Sequence, residues 1–128
     1  MGEYDLQLTV TAKLPLQRVR VDGKELQCLG LAEFHACPSR HGLGRLALDI
    51  VLQIAREQNM ALVVGWAAAD VVEYYRHIGW SLAANTILSQ CREFMSQCDG
   101  IQKRAVYKWV DGRQSTSTET VEPVGRDW

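Results

Sequence analysis

Six residues in the first half of the chain, Ser39-Arg40-His41-Gly42-Leu43-Gly44, have the composition of an anion cradle. A pyrophosphate needs several donors aimed at one place and a backbone it can approach closely. Glycines at 42 and 44 clear side chains from that surface. A helix opening directly behind them adds unpaired N–H groups and the positive end of its dipole. The main-chain amides of Leu43, Gly44 and Arg45 are therefore the expected donors, with Arg40 and Arg45 adding charge. The plainer reading is that Gly42 and Gly44 only permit a tight turn between two elements. His35, Cys37 and His41 also fall close together, but a structural zinc site needs a fourth ligand at a motif spacing, which the chain does not offer.

The elements that would position this turn can be read on either side of it. Leu6 to Thr11 alternates apolar and polar residues, the period of a strand with one buried face. Leu16 to Val21 alternates again after Pro15, Asp22-Gly23 gives a tight hairpin signal, and Glu25 to Ala36 follows as a longer strand. The three read as an antiparallel meander that Pro38 stops. From Gly42 onward, polar residues recur at Arg45, Asp49, Gln53, Arg56 and Glu57, with apolar residues between them. That pattern predicts a helix lying on a sheet and burying most of its circumference, with Asn59 as a left-handed cap. Ala61 to Trp66 is a continuous apolar run typical of a central strand, which a right-handed crossover places parallel to its predecessor.

Asp70-Val71-Val72-Glu73 has the spacing of a capping box and opens a short helix that runs to His77 and ends at Gly79. Trp80 to Ala83 reads as another strand, and Thr86 to Ser96 is either helical or irregular. Ala105 to Val110 is expected to be the last strand. One domain is thus expected over residues 1–110, with 111–128 as a flexible C-terminal tail rich in Gly, Ser, Thr, Glu and Pro.

Composition narrows the function classes. The chain has 128 residues, 14 Lys and Arg against 15 Asp and Glu, and a net charge of −1. Without a basic excess there are no counterions to release, so a nucleic-acid partner is not expected. The longest apolar run is too short to span a bilayer, and Met1 to Asp5 lacks the pattern of a secretory signal. A cytoplasmic protein is the expectation. Cys28, Cys37, Cys91 and Cys98 form no C-x-x-C pair and read as small apolar residues in a reducing compartment.

The segment Leu29 to Trp80 resembles the GNAT superfamily of coenzyme A-dependent N-acetyltransferases. That family carries Gln/Arg-x-x-Gly-x-Gly/Ala after a strand and at the start of a long helix, and Ser39 to Gly44 keeps both small positions of this frame. It then commonly shows an apolar strand, a short helix and Tyr-x-x-x-Gly with an aromatic, matched by Tyr75-Arg76-His77-Ile78-Gly79-Trp80. The Pro38 to Gly44 turn is also similar to one in nodulation-factor N-acyltransferases. The resemblance implies an α/β (α+β) fold: a GNAT-like mixed, mostly antiparallel sheet with a central splayed parallel strand pair and helices on its faces.

It implies acetyl-CoA or another acyl-CoA as co-substrate and a small-molecule or peptide amine as acceptor. Pantetheine would lie between the splayed strands, with Phe34 to Cys37 on one side and Val64 to Trp66 on the other. A kink or bulge at Gly65 would suit the splay. The cofactor set is then Phe34, Ala36, Cys37, Arg40, His41, Gly42, Leu43, Gly44 and Arg45.

Acyl transfer to an amine needs a base for the amine proton and an acid for the departing thiolate. The resemblance gives Tyr75 as the acid, against the alternative of a core tyrosine. Glu33 is a candidate base by its place before the turn, and His35, read as sharing its face, is a rival with a resting pKa nearer neutrality. Three departures from the family's pattern stand out: Ser39 replaces Gln or Arg, Ala68 replaces a common Asn, and only about forty residues, read as strands, precede the signature. The alternative to an N-acyltransferase is a GNAT-fold module that binds acyl-CoA without turnover, or a purely structural one. An acceptor side left open would expose apolar surface, and covering it by self-association predicts a homodimer.

Overall fold

The structure, a computed structural model, describes residues 9–37, 42–88 and 102–124. One long strand organises its first half. Strand β3 (Lys24–Cys37) pairs antiparallel with β2 (Leu16–Val21) over its first part and with β1 (Thr9–Lys13) over its last part. The three strands are therefore not a meander: β1 and β2 are one interrupted strand along a single edge of β3. The interruption is at Pro15, which has no N–H to give to a ladder. Its carbonyl still accepts from the Gly30 amide at 2.8 Å. A Cβ at Gly30 would come within 2.8 Å of Gln17 Oε1 and 3.0 Å of Pro15 Cγ, so glycine is what lets the broken strand approach. Asp22 and Gly23 close the β2–β3 hairpin with φ of 49° and 84°, the backbone a two-residue hairpin turn requires.

Helix α1 (Leu43–Glu57) follows, ends before the left-handed Asn59, and leads into β4 (Leu62–Ala68). β4 lies parallel to β3, the sole parallel pairing among the described residues. Helix α2 (Ala69–His77), β5 (Ser81–Leu88), β6 (Gln102–Trp109) and β7 (Val121–Val124) complete the chain. The sheet order is β5-β6-β4-β3-β2-β7, with β1 beside β3. This is the mixed, mostly antiparallel sheet with a central parallel pair that the sequence implied.

Two cores lie on the two faces of this sheet. Leu48, Val51 and Ala55 of α1 and Val72 and Tyr75 of α2 pack with Leu29, Leu31, Val63, Ala67, Trp80 and Val106. Both helices thus share one face. The other face holds Val19, Val21, Cys28, Leu62, Val64, Ala83, Ala105, Tyr107, Trp109 and Val121, and among the described residues no helix lies over it. It is covered because the sheet curls until its two edges meet. β5 gains two residues on β6 between Leu82 and Thr86, which turns Ala84 and Asn85 away from the ladder. The Arg104 side chain donates to the Ala83 carbonyl inside this bulge. Ala84 N–H donates to the Glu119 carbonyl at 2.8 Å. The Asn85 side chain donates to the Val121 carbonyl and accepts from the Val121 amide, both at 2.9 Å.

This closure corrects the reading of 111–128 as a loose tail. β7 pairs with β2, Val121 is fully buried, and Glu119 accepts hydrogen bonds from the Tyr107 hydroxyl at 2.6 Å and from Trp109 Nε1 at 3.3 Å. Composition hid this because a four-residue strand among Ser, Thr, Glu and Gly carries almost no periodic signal. β6 is accordingly not the last strand, and β5 runs on from the expected Trp80–Ala83 to Leu88. Residues 1–8, 89–101 and 125–128, which include Leu6 to Leu8 and most of the Thr86 to Ser96 stretch, lie outside the described residues.

Two further expectations fail locally. α1 does not bury most of its circumference: Leu46 is 59% and Ile50 55% exposed. The Asp70–Glu73 capping box is not made. Ala68 is the N-cap of α2 with no side-chain cap bond, Asp70 lies in the first turn, and Glu73 accepts from Arg76 at 3.3 Å. β4 runs directly into α2, so the chain enters the helix two residues too early for Asp70 to cap it.

If Asn85 joins the two edges of the sheet, Asn85→Ala removes two hydrogen bonds and leaves the Val121 backbone groups unsatisfied. The expected cost is about 1–3 kcal/mol, read as a lower urea midpoint with an unchanged slope. A shift inside the range of an ordinary surface change, about 0.5 kcal/mol, would mean the edges are held by something else.

Candidate functional site

The parallel pairing of β3 and β4 covers only four positions, Cys28 with Leu62 through Leu31 with Gly65. Both strands continue past it. Residues 32–37 of β3 pair outward with β1, and residues 66–68 of β4 pair outward with β6. The two strands part company at Leu31 and Gly65, and the cause lies on β3. Between Ala32 and His35 that strand advances three residues while β1 advances two, from Lys13 to Thr11. One extra residue bends the bulged strand and raises its twist, so it leaves a straight neighbour.

On β4 the parting starts later than the resemblance implied, because Val64 and Gly65 are still paired with Gly30 and Leu31, and the expected kink at Gly65 is not its origin. β4 pairs with β6 without a register break from Leu62 to Ala68. A Cβ at Gly65 would meet Val106 Cγ2 at 3.4 Å and Leu31 atoms beyond that, which is near-ordinary packing.

The N-terminus of α1 stands six residues beyond the end of β3. Gly42 is its N-cap at φ 73°, a left-handed conformation that disfavours a side chain, and its carbonyl takes the first helical bond from the Leu46 amide at 3.2 Å. The amides of Leu43, Gly44 and Arg45 therefore have no acceptor within the helix. Among the described residues no side chain caps them, and no acidic residue lies in the first turn, where Arg45 is exposed. By contrast α2 carries Asp70 in its first turn. The donor set at α1 suits an anion: free amides, a positive dipole end and one nearby cation. Arg40 and His41 lie outside the described residues, as does Ser39.

For 33–37 the structure describes the backbone alone. It brings Glu33, Phe34, His35, Ala36 and Cys37 onto the diverging end of β3, with His35 to Cys37 opposite Thr9 to Thr11 and Glu33 and Phe34 within the bulge. The bulge alters the reading of Glu33 and His35. Strict alternation, the basis for giving both one face, does not carry across an inserted residue.

Tyr75 is 7% exposed and sits in the helix-side core with Leu31 and Ala67, which flank the parting of the strands. Its ring meets Trp80 and Tyr74 edge-on, each at 5.4 Å between centroids. Burial, with Tyr74 adding to it, pushes its hydroxyl up to about 12. At neutral pH it is a phenol, able to give a proton and unable to take one. Burial likewise pushes the Cys28 thiol up to about 12, which leaves it inert as a nucleophile.

A cavity of about 450 Å³ opens at the other end of the molecule, lined by Leu52, Arg56, Lys108, Trp109, Val110, Asp111 and Gly112. No pattern in the sequence signals it, because its walls come from α1 and the end of β6, about fifty residues apart and without a shared motif. At about 1.5 Å per residue, Arg56 is about 18 Å along α1 from Gly44, so the cavity is not part of the splay. Among the described residues no helix is long and apolar enough to cross a membrane.

Among known proteins, no family model and no curated protein matches the chain. A solved structure from Lactobacillus plantarum, described as a "putative N-acetyltransferase", is similar at 14% identity with a TM-score of 0.47. The match covers 67% of this chain and 59% of that one. The chemistry of the site therefore stands on its own geometry.

The raised pKa values carry a pH dependence. A group whose acid form is favoured in the fold contributes its full stabilisation below its unfolded pKa and loses it as pH rises through the folded value. For Cys28 that window runs from 9.0 to about 12, and for Tyr75 from 10.0 to about 12. Melting temperature is expected to hold steady up to the lower of these values and fall steadily above it. In Tyr75→Phe the part of the fall that begins with the tyrosine is expected to disappear. An alkaline limb identical in the two proteins would place the tyrosine in water.

Proposed function

We propose that the chain is an acyl-CoA-dependent N-acyltransferase, with acetyl-CoA the first candidate, acting on an amine of a small molecule or peptide. The observation that carries this reading is the bulge-driven parting of β3 from β4, with the head of α1 six residues beyond the end of β3, acid-free in its first turn and, among the described residues, without a side-chain cap. An extended chain bearing amides can pair with the facing edges of two diverging strands as an added strand does. A pyrophosphate at the far end of such a chain would reach the amides of Leu43, Gly44 and Arg45. Few ligands join an extended amide arm to a pyrophosphate, and coenzyme A does.

The bound thioester supplies an activated acyl carbon and a thiolate leaving group. The amine lone pair attacks that carbon, the C–N bond forms and the C–S bond breaks. The amine proton passes to a base, for which Glu33 and His35 are the candidates on β3, and the thiolate takes a proton from the Tyr75 hydroxyl. Tyr75 is protonated at working pH and sits beside the strand pair, while burial makes it a weaker acid than an exposed phenol, so its position and not its raised pKa supports that last role.

A second reading is favoured by the same residue. Tyr75 is packed against Trp80 as a core aromatic would be, and a module that binds acyl-CoA without turnover needs nothing more from it.

Calorimetric titration with acetyl-CoA tests the shared part of both readings. Micromolar binding is expected, and Gly44→Trp, which fills the approach to the amides, is expected to abolish it. No binding of acetyl-CoA or of longer acyl-CoAs would overturn both. Release of free CoA with a panel of amines then separates them. The enzyme reading expects Tyr75→Phe to retain binding while turnover falls about 100-fold or more. Binding with no turnover in the native chain leaves the module.

A further inference from the structure

We infer that the exposed side of α1 is a self-association surface, on which a second copy of this chain docks its own α1 antiparallel about a two-fold axis. Leu46 and Ile50 stand 59% and 55% exposed one turn apart, and Ala47 and Ile54, half-buried, continue the same strip along the helix. With 100° between successive residues, the four fall within about 100° of the helix circumference. Arg45, Asp49 and Arg56 lie off this strip, and Gln53 borders it.

The charges at the two ends of the strip decide for a second copy. Glu57, also exposed, lies in the strip at the C-terminal end of the helix, while the first turn has no acidic residue, no side-chain cap among the described residues, and Arg45 beside the strip. An antiparallel pair with Ile50 against its own symmetry mate sets Leu46 opposite Ile54 of the other copy. Counting along the 15-residue helix, the same register sets each Glu57 opposite the first turn of its mate. Each carboxylate then meets the positive end of a helix dipole, and the two dipoles run opposite ways. An isologous contact of this kind needs one surface that is complementary to itself, and this strip is. One helix face is small against the roughly 1,200 Å² that stable complexes bury, so the dimer is a weak one, in the micromolar range. The inference does not rest on the activity proposed above, but Glu57 of the mate and the pyrophosphate of that reading would compete for the same end of α1, so the dimer concerns the chain without acyl-CoA.

Sedimentation equilibrium of the full chain over a range of concentrations tests it. The expected result is reversible doubling of mass in the micromolar range. Ile50→Glu is expected to weaken association at least tenfold with the far-ultraviolet circular dichroism unchanged, since the side chain is exposed in the monomer. Glu57→Lys is expected to weaken it as well, most at low salt, because it reverses the charge facing the opposing helix end. A chain that stays monomeric to millimolar concentration would overturn the inference. So would a dimer indifferent to Ile50→Glu. A monomer whose melting temperature falls on Ile50→Glu would also overturn it, by showing that another part of the same chain covers the strip.

Discussion

One inserted residue in β3 governs the arrangement of this protein. Up to Leu31 the strand is locked between β2 and β4 in a continuous sheet; beyond it, the extra residue before His35 turns β3 toward β1 and away from β4. Two parallel strands that stayed paired to their ends would leave nothing between them. Because these two separate while each keeps a partner on its outer edge, the facing edges are held apart by the rest of the sheet. Opening the cleft costs little: the outward ladders to β1 and β6 are kept, and only the inner hydrogen bonds over a few positions are forgone.

The remainder of the fold can be understood as what holds that separation in place. α1 and α2 press on the same face through Leu48, Val51, Ala55, Val72 and Tyr75, so the strands they cover cannot drift back together without repacking that core. The opposite face has no helix among the described residues. Its apolar residues are enclosed because β7 and the bulged part of β5 meet around Asn85 and Val121, with Glu119 bonded to Tyr107 and Trp109. A short strand near the end of the chain thereby supports a site built from strands far from it in sequence.

The sequence made some of this legible and not the rest, for physical reasons that differ by element. The β2–β3 hairpin, α1 and β4 could be read closely, since each is specified by its own residues: the Asp22-Gly23 turn, the polar stripe from Arg45 to Glu57, and the apolar run through Val63 and Val64. The parallel pair followed from the crossover rule. β7 could not be read, because a four-residue strand is stabilised by the edge it joins and not by its own pattern. The bulge in β3 is equally silent, since an inserted residue is defined only against a partner strand. For the site, Gly42 and the start of α1 were legible from the turn. The place of Tyr75 in the core was the less chemical of two readings the sequence allowed. Asp70 and Glu73 had the spacing of a cap but were left inside the helix when β4 ran straight into α2.

The central claim is that the diverging ends of β3 and β4 form a cleft that takes an extended, amide-bearing ligand with an anion at the head of α1. Amide hydrogen exchange with and without saturating CoA tests it at the residues concerned. The account predicts slower exchange on binding within 32–37, 66–68 and 43–45, and no change within 28–31 and 62–65, where the strands are already paired. Unchanged exchange in the first three stretches, or a uniform slowing across the whole chain, would contradict it.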